Sequence, residues 1–361
     1  MKAGIVTITN GPPNFGNILQ TYAVQQSLKK LNIDSEVIRN YSFAEYRKNK
    51  LYLIPKLILR YPEGVKSIRF DSFSRKYLKT SKEIVTSHQI PDQLRTKYDI
   101  YICGSDQIWN PMWNLNRNFE VMFLQFALNN KVKISLSASF GISNIPTEYT
   151  EQIRAGLNQI DFLSVREYEG ASIISHIINR KAEVLIDPTL ALDKEEWLRV
   201  GKKPKWIKTD KYILLYFLGE LSENDRKLIQ VWREKLKCEI IDLMDKKDSK
   251  IYASSPEEFI WLVANSALVI TDSYHGSIFS FIMDTPMVIF SRKDSGNGDM
   301  SSRIMTLISK FDLIEHVYNE ECSDLKKYLS NDYHEGKNKL EEEKMFYYSF
   351  LKKAILGDMN D

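Results

Sequence analysis

Short runs of β-branched and aromatic residues recur along this chain, and between them the apolar positions fall into helical spacing. Residues 3–8, 33–38, 99–103, 132–138, 162–166, 183–186, 211–218, 238–243, 267–271 and 287–290 read as strands. Several, such as KYILLYFL at 211–218, are unbroken apolar runs. Strands of a parallel sheet, buried on both faces, have that pattern; half-exposed strands alternate instead. Residues 18–31 carry Val24, Leu28 and Leu31 on one helical face. The segment 255–266 opens with Ser255, Pro256 and Glu258, a capping box with proline at the first helical position. Strand and helix in alternation predict an α/β fold with parallel sheets.

The alternation pauses at 187–210, a stretch rich in Lys and Pro with no strand pattern. A boundary near residue 190 divides the 361 residues into 1–190 and 191–361, each the length of one doubly wound domain. The charged and aromatic helix expected over 337–356 is read as crossing between the two. Charge is nearly balanced, at +3 overall, but residues 41–80 carry ten Lys and Arg against three acidic residues, leaving the rest at −4. The plainer reading of 41–80 is a solvated helical insertion of the first domain, its aromatics packed on the core. The sharper one is a surface for anionic membrane lipid or a lipid-linked substrate, peripheral at the inner face of the cytoplasmic membrane. The overall balance speaks against a dedicated nucleic-acid binder. Cys103, Cys238 and Cys322 are widely spaced, so neither a disulfide framework nor a zinc module is legible, and a reducing cytoplasm is expected. No run approaches the ~20 apolar residues of a membrane span. The apolar run that ends at Ile8 is too brief for a signal peptide.

The strongest local signal for chemistry is ALVITDSYHGSIFSFIM at 267–283. A strand ends at Thr271-Asp272-Ser273, a Tyr-His-Gly turn comes next, and an apolar helix begins. Helix N-termini offer backbone donors to anions, and ligands of open α/β sheets sit beyond the carboxyl ends of the strands. His275 is therefore placed at an anion-binding corner, with Gly276 permitting close approach and Ser277 opening the helix. A buried structural histidine is the plainer alternative. Arg292, Lys293 and Arg303 flank a Gly/Asp/Ser-rich loop near the same edge, and Arg166 ends another strand; arginine suits carboxylate and phosphate. In the first half, Asn10, Gly11, Asn14, Gly16 and Asn17 form a polar turn that is not a dinucleotide fingerprint. Ser105 and Asp106 end the 99–103 strand, where Asp106 reads as a general base or as a helix cap, and Trp109 offers a stacking face. P-loop, zincin and nucleophile-elbow motifs are absent, as is any metal-ligand spacing.

Taken in order, FGNILQTYA, CGSDQIWNP, SASFG, SVREYEG, LIDPTL, SPEEFIWLVANSALVITDSYHGSIFSFI and SSRIMTLISKF resemble the polysaccharide pyruvyl transferase family over nearly the whole length. The resemblance implies two Rossmann-like doubly wound domains facing across a cleft, similar to GT-B glycosyltransferases. It implies phosphoenolpyruvate as donor and co-substrate, no bound cofactor or metal, and a pair of sugar hydroxyls on a bacterial surface polysaccharide or lipid-linked oligosaccharide as acceptor. The donor site then maps to Asp272, Ser273, His275, Gly276, Ser277, Arg292, Arg303 and Arg166, on the second domain and its junction. The acceptor side maps to Asn14, Gly16, Asn17, Ser105, Asp106 and Trp109, with His275 and Asp106 as catalytic candidates. A sugar-nucleotide glycosyltransferase of the same architecture is the alternative, and a non-catalytic glycan-binding protein the third reading. The acceptor sugar and the oligomeric state are not legible.

Overall fold

The computed structural model describes residues 1–8, 11–41, 61–86, 89–112, 119–292, 302–321 and 324–357. The chain divides into two compact units. One comprises Met1–Ile54, Ser74–Leu192 and Glu341–Asp361, the other Pro55–Phe73 and Asp193–Leu340. Each is built on a parallel sheet, so the α/β class with two Rossmann-like domains stands.

The first unit holds β1 (Lys2–Val6), β2 (Asp34–Tyr41), β3 (Thr80–Thr86), β4 (Ile100–Cys103) and β5 (Val132–Ser135), in the order β3-β2-β1-β4-β5. Every neighbouring pair is parallel. The two-residue strands β6 (Ser164–Val165) and β7 (Glu183–Val184) pair with each other. They extend the layer through the bridges Ile134–Phe162 and Ala138–Val165. Strands β1 and β4 are buried on both faces, as their unbroken apolar runs require. Strand β3 has no such run and was not expected from the sequence. It is the sheet edge, and its polar residues Thr80 and Lys82 face outward. The helix Phe15–Lys30 comes after β1 and buries Phe15, Leu19, Ala23, Val24 and Leu28, with Lys29 and Lys30 in its last turn complementing the helix dipole.

The second unit holds β8 (Tyr212–Tyr216), β9 (Glu239–Asp242), β10 (Leu268–Thr271) and β11 (Met287–Ile289), parallel and ordered β11-β10-β8-β9. The capping box read from sequence is present. Ser255 N donates to Glu258 Oε2 at 2.9 Å and Glu258 N to Ser255 Oγ at 3.2 Å, opening the helix Pro256–Asn265. In both sheets the strand order reverses direction at one place: between β1 and β4 in the first unit, between β8 and β10 in the second. Ligands of open α/β sheets bind at such switch points.

The basic insertion departs from expectation. Its described residues 61–73 pack with the second unit, not the first. The helix Glu63–Tyr77 is held there by Glu63 Oε1 to Lys246 Nζ at 2.9 Å and Arg69 Nη1 to Glu258 Oε2 at 2.7 Å. Lys66 Nζ stands 4.5 Å from the centre of the Tyr252 ring. Residues 42–60 of that insertion lie outside the described residues. The helix His334–Leu356 runs from the second unit into the first, where Tyr347 is fully buried and its hydroxyl reaches Ser27 Oγ at 3.4 Å. Among the described residues no helix is long and apolar enough to cross a membrane. Cys103 and Cys238 are free thiols; Cys322 lies outside the described residues.

Candidate functional site

In the second unit the motif at 271–277 falls on the switch point. Thr271 Oγ1 donates to Tyr216 O at 2.6 Å and accepts from Ser273 N at 3.0 Å, so the end of β10 is laced to the end of β8. Asp272 then reaches across. Its carboxylate accepts Leu218 N at 2.7 Å and Gly219 N at 2.8 Å, and Arg292 Nε at 3.1 Å. Arg292 Nη2 also donates to Asp272 O at 3.3 Å. Asp272 is only 2% exposed. It ties the loop after β8, and Arg292 three residues beyond β11, to β10, an internal role beside the donor contact expected from the sequence.

Ser273 caps the helix Tyr274–Met283, accepting Gly276 N on its Oγ, while Ser277 N donates to Ser273 O at 3.0 Å. The backbone donors of Gly276 and Ser277, assigned from sequence to an anion, are thus satisfied by the cap. Gly276 also has a different cause from the expected one. A Cβ there would lie 2.4 Å from Thr271 Oγ1, so the missing side chain lets the helix pack on β10. His275 is the second residue of that helix and 6% exposed. Its ring meets Tyr274 edge-on at 5.2 Å between centres. The Arg303 guanidinium, from the helix Ser302–Phe311, stands 5.9 Å from the Tyr274 ring centre. The structure therefore brings His275, Tyr274 and Arg303 together at one corner, a cation, an imidazole and a phenol beside a helix start. Lys293 and the loop to 301 lie outside the described residues.

The first unit's switch point is polar as well. Gly104 N donates to Val6 O at 2.7 Å, and a Cβ on Gly104 would come to 3.3 Å from Thr7 Cβ, so β1 and β4 end close together. Asp106 comes next but one, in the left-handed region with φ 70°. Its Oδ1 accepts Arg166 Nη2 at 2.9 Å, and Arg166 Nη1 donates to Asp187 Oδ2 at 2.8 Å. Ser105 Oγ donates to the same Asp187 oxygen at 3.0 Å. Arg166 belongs to the first unit, and its side chain is fully buried among carboxylates. The donor contact expected of it from the sequence is not among the contacts seen; its nearest charged partners are Asp106, Asp187 and Glu167.

Trp109, expected as a stacking face, lies in the core. It is 1% exposed, stacked on Phe123 at 5.1 Å, packed against Phe140, and its Nε1 donates to Met122 O. Asn14 is the N-cap of the helix Phe15–Lys30 and accepts Asn17 N at 3.1 Å. Gly16 is buried inside its first turn, while Asn14 and Asn17 remain half-exposed. Asn10 lies outside the described residues.

A family model described as polysaccharide pyruvyl transferase matches residues 14–295. The chain belongs to the polysaccharide pyruvyl transferase family. The match takes in the second unit's switch point and β4 of the first, starts after β1 and stops short of Arg303. No curated protein matches the chain. Solved structures share its fold at low identity. The UDP-GlcNAc 2-epimerase from Methanocaldococcus jannaschii superposes with TM-score 0.52 and 13% identity, over 94% of this chain and 92% of that one. S. aureus MnaA, solved with UDP, gives TM-score 0.52 and 12% identity over 100% and 98%. Anabaena HepE, solved with UDP and glucose, gives 0.51 and 9% over 99% of both. These likenesses place this pyruvyl transferase family member in the GT-B fold class.

Sequence reasoning missed Tyr274, Glu167 and Asp187 as parts of these sites. Tyr274 stood inside the Tyr-His-Gly turn, but nothing in its spacing shows that Arg303 lies over its ring. Asp187 stood in LIDPTL, where a carboxylate directly after an apolar run was the available signal. Among the described residues no group of three or more His, Cys, Asp or Glu is placed to hold a metal ion.

Proposed function

We propose that this family member transfers the pyruvyl unit derived from phosphoenolpyruvate to a pair of hydroxyls on a sugar of a bacterial surface polysaccharide or its lipid-linked precursor, closing a pyruvate ketal and releasing phosphate. The observation that carries the reading is the family match over 14–295, which contains His275 at the second unit's switch point. The donor's methylene carbon takes up a proton, C2 becomes cation-like, and a sugar hydroxyl adds there. Phosphate then leaves, and the second hydroxyl closes the ring. Of the two hydroxyl protons lost, one balances that taken up by the methylene carbon and the other leaves on phosphate.

His275 is the proposed acid or phosphate anchor, since an imidazole both donates hydrogen bonds and moves a proton near neutrality. Arg303 suits the donor's carboxylate or phosphate as a planar fork. Arg292, 31% exposed, is proposed to lend the donor its charge while bound to Asp272. The acceptor is proposed to be a surface polysaccharide precursor, met by Asp106, Asn14 and Asn17 of the first unit.

The test is incubation of the purified chain with phosphoenolpyruvate and a panel of lipid-linked oligosaccharides, and then mass spectrometry for the added pyruvate. His275→Ala should cut turnover at least ~10²-fold, the low end of general acid–base effects. His275→Gln should keep donor binding yet lose turnover if the proton is what matters. Near-normal turnover in both variants removes His275 from the mechanism. Calorimetric binding of a nucleotide sugar, with none of phosphoenolpyruvate, replaces the reading with a glycosyltransferase.

A further inference from the structure

We infer that Arg166, anchored from behind by Asp187, is the positioning residue that fixes the Asp106 carboxylate at the carboxyl edge of the first unit's sheet, where Asp106 meets an acceptor hydroxyl. The identity of the acceptor rests on the function proposed above; the positioning does not.

The geometry is a fork with two occupied arms. Arg166 Nη1 lies 2.8 Å from Asp187 Oδ2 and Nη2 lies 2.9 Å from Asp106 Oδ1, while Nε faces Glu167 Oε2 at 3.8 Å. The rear arm is held firmly. Asp187 Oδ1 accepts Thr189 N at 3.0 Å and Thr189 Oγ1 at 2.7 Å, and its Oδ2 also accepts Ser105 Oγ. Glu167 Oε1 is fixed by Phe140 N at 2.9 Å and Gly141 N at 3.3 Å. The side chains of Arg166, Asp187 and Glu167 are fully buried, whereas that of Asp106 keeps 15% of its surface. The network thus ends in one carboxylate that touches solvent.

Two further observations separate this from a stabilising device. A buried ion network is poor evidence of stability, because apolar side chains of similar volume commonly do as well or better. Asp106 and, on the neighbouring strand end, Ser137 both adopt left-handed backbone, φ 70° and 54°. Such conformations cost free energy in non-glycine residues and concentrate where a side chain must be aimed. The planar guanidinium sets the angle between its two carboxylates; a lysine, a point charge, holds one at a time. Held by Arg166 Nη2 on Oδ1, the Asp106 carboxylate keeps its other oxygen as an acceptor for a hydroxyl, whose proton it takes as the C–O bond forms.

The experiment is a double-mutant cycle on the full chain, reading pyruvyl transfer for wild type, Asp106→Asn, Arg166→Lys and the double variant. Asp106→Asn should lower kcat at least ~10²-fold and Arg166→Lys about 10-fold, each with KM for phosphoenolpyruvate within about 3-fold. The double variant should fall no more than about 2-fold below Asp106→Asn, because groups acting through one another are not additive. Ser105→Ala, which removes only one buried donor from Asp187, should lower the melting temperature modestly and kcat in the same direction as Arg166→Lys. Additive losses, or an Asp106→Asn enzyme as fast as wild type, overturn the inference. Crystal structures give a readout that needs no turnover: Arg166→Lys should displace the Asp106 carboxylate and leave Asp187 in place. A wild type that transfers no pyruvate, together with that displacement, sinks the proposed reaction and keeps the positioning. An unmoved Asp106 overturns the positioning whatever the reaction.

Discussion

Replacing Asp272 by Asn changes one carboxylate oxygen into an amide nitrogen at a place where every neighbour is a donor. The carboxylate receives three N–H groups: Leu218 N at 2.7 Å, Gly219 N at 2.8 Å and Arg292 Nε at 3.1 Å. The amide oxygen of Asn can keep Leu218. Its NH₂ must then face Gly219 N and Arg292 Nε, donor against donor. Two bonds to a charged acceptor are lost, each worth about 1.5–3 kcal/mol net. The ion-pair share is discounted because the Arg292 side chain is 31% exposed and water screens it. The expected loss is about 3 kcal/mol from the second unit. Urea unfolding monitored by tryptophan fluorescence measures it, since Trp197 and Trp232 are both buried in that unit. A loss below about 1 kcal/mol would falsify the internal role of Asp272 and return it to the ligand site, because a surface substitution away from buried bonds rarely exceeds ~0.5 kcal/mol.

Two other expectations use different physics. Gly276→Ala should destabilise the second unit by about 2 kcal/mol, because the new Cβ would sit 2.4 Å from Thr271 Oγ1 and overpacking costs ~1–3 kcal/mol; full stability with lost donor binding would restore the close-approach reading. Lys66 is buried, and burial pushes its ammonium down to about 8. The unfolded chain therefore binds more protons than the folded one from about pH 8 to the ordinary lysine value near ~10.4, so this residue's cost is full below that window and fades as pH rises through it. Lys66→Met should raise stability at pH 7 by ~1–2 kcal/mol, the desolvation relief less the cation–π contact with Tyr252, and by less at about pH 9.5. Thermal unfolding at both pH values checks it; a gap that does not shrink defeats the argument.

The strands with unbroken apolar runs were legible because burial on both faces leaves a local mark. Strand β3 was not, because an edge strand needs only part of that mark and Thr80, Lys82 and Glu83 hide it. The capping box at Ser255 was legible because both partners lie within four residues of each other. The Arg166 network was not: its members come from positions 105–106, 166–167 and 187, and only the fold makes them neighbours. Arg166 and Trp109 share one lesson. Residue type suggested a ligand contact for each, while burial, a property of the whole fold, placed one among carboxylates and the other among phenylalanines.

The two switch points obey one rule. In each, an acid just past a strand end engages donors from elsewhere: Asp272 holds the loop after β8, and Asp187 holds Ser105 and Arg166 beside β4. An aspartate at such a place fills, from within, a turn of backbone donors or a guanidinium that would otherwise take a ligand's anion. Residue type near the strand ends is therefore a poor guide to chemistry in this fold, and the engagement of each side chain is a better one. By that criterion Asp272, Asp187, Ser273, Gly276 and Arg166 are engaged internally. His275, at the second-unit corner with Tyr274 and Arg303, and Asp106, which ends the first unit's network at its solvent-touching side, are the groups we propose as reacting. Loss of an internal tie should then show in stability first and turnover second, and loss of a presented group in turnover alone, a division that measuring both on each variant resolves.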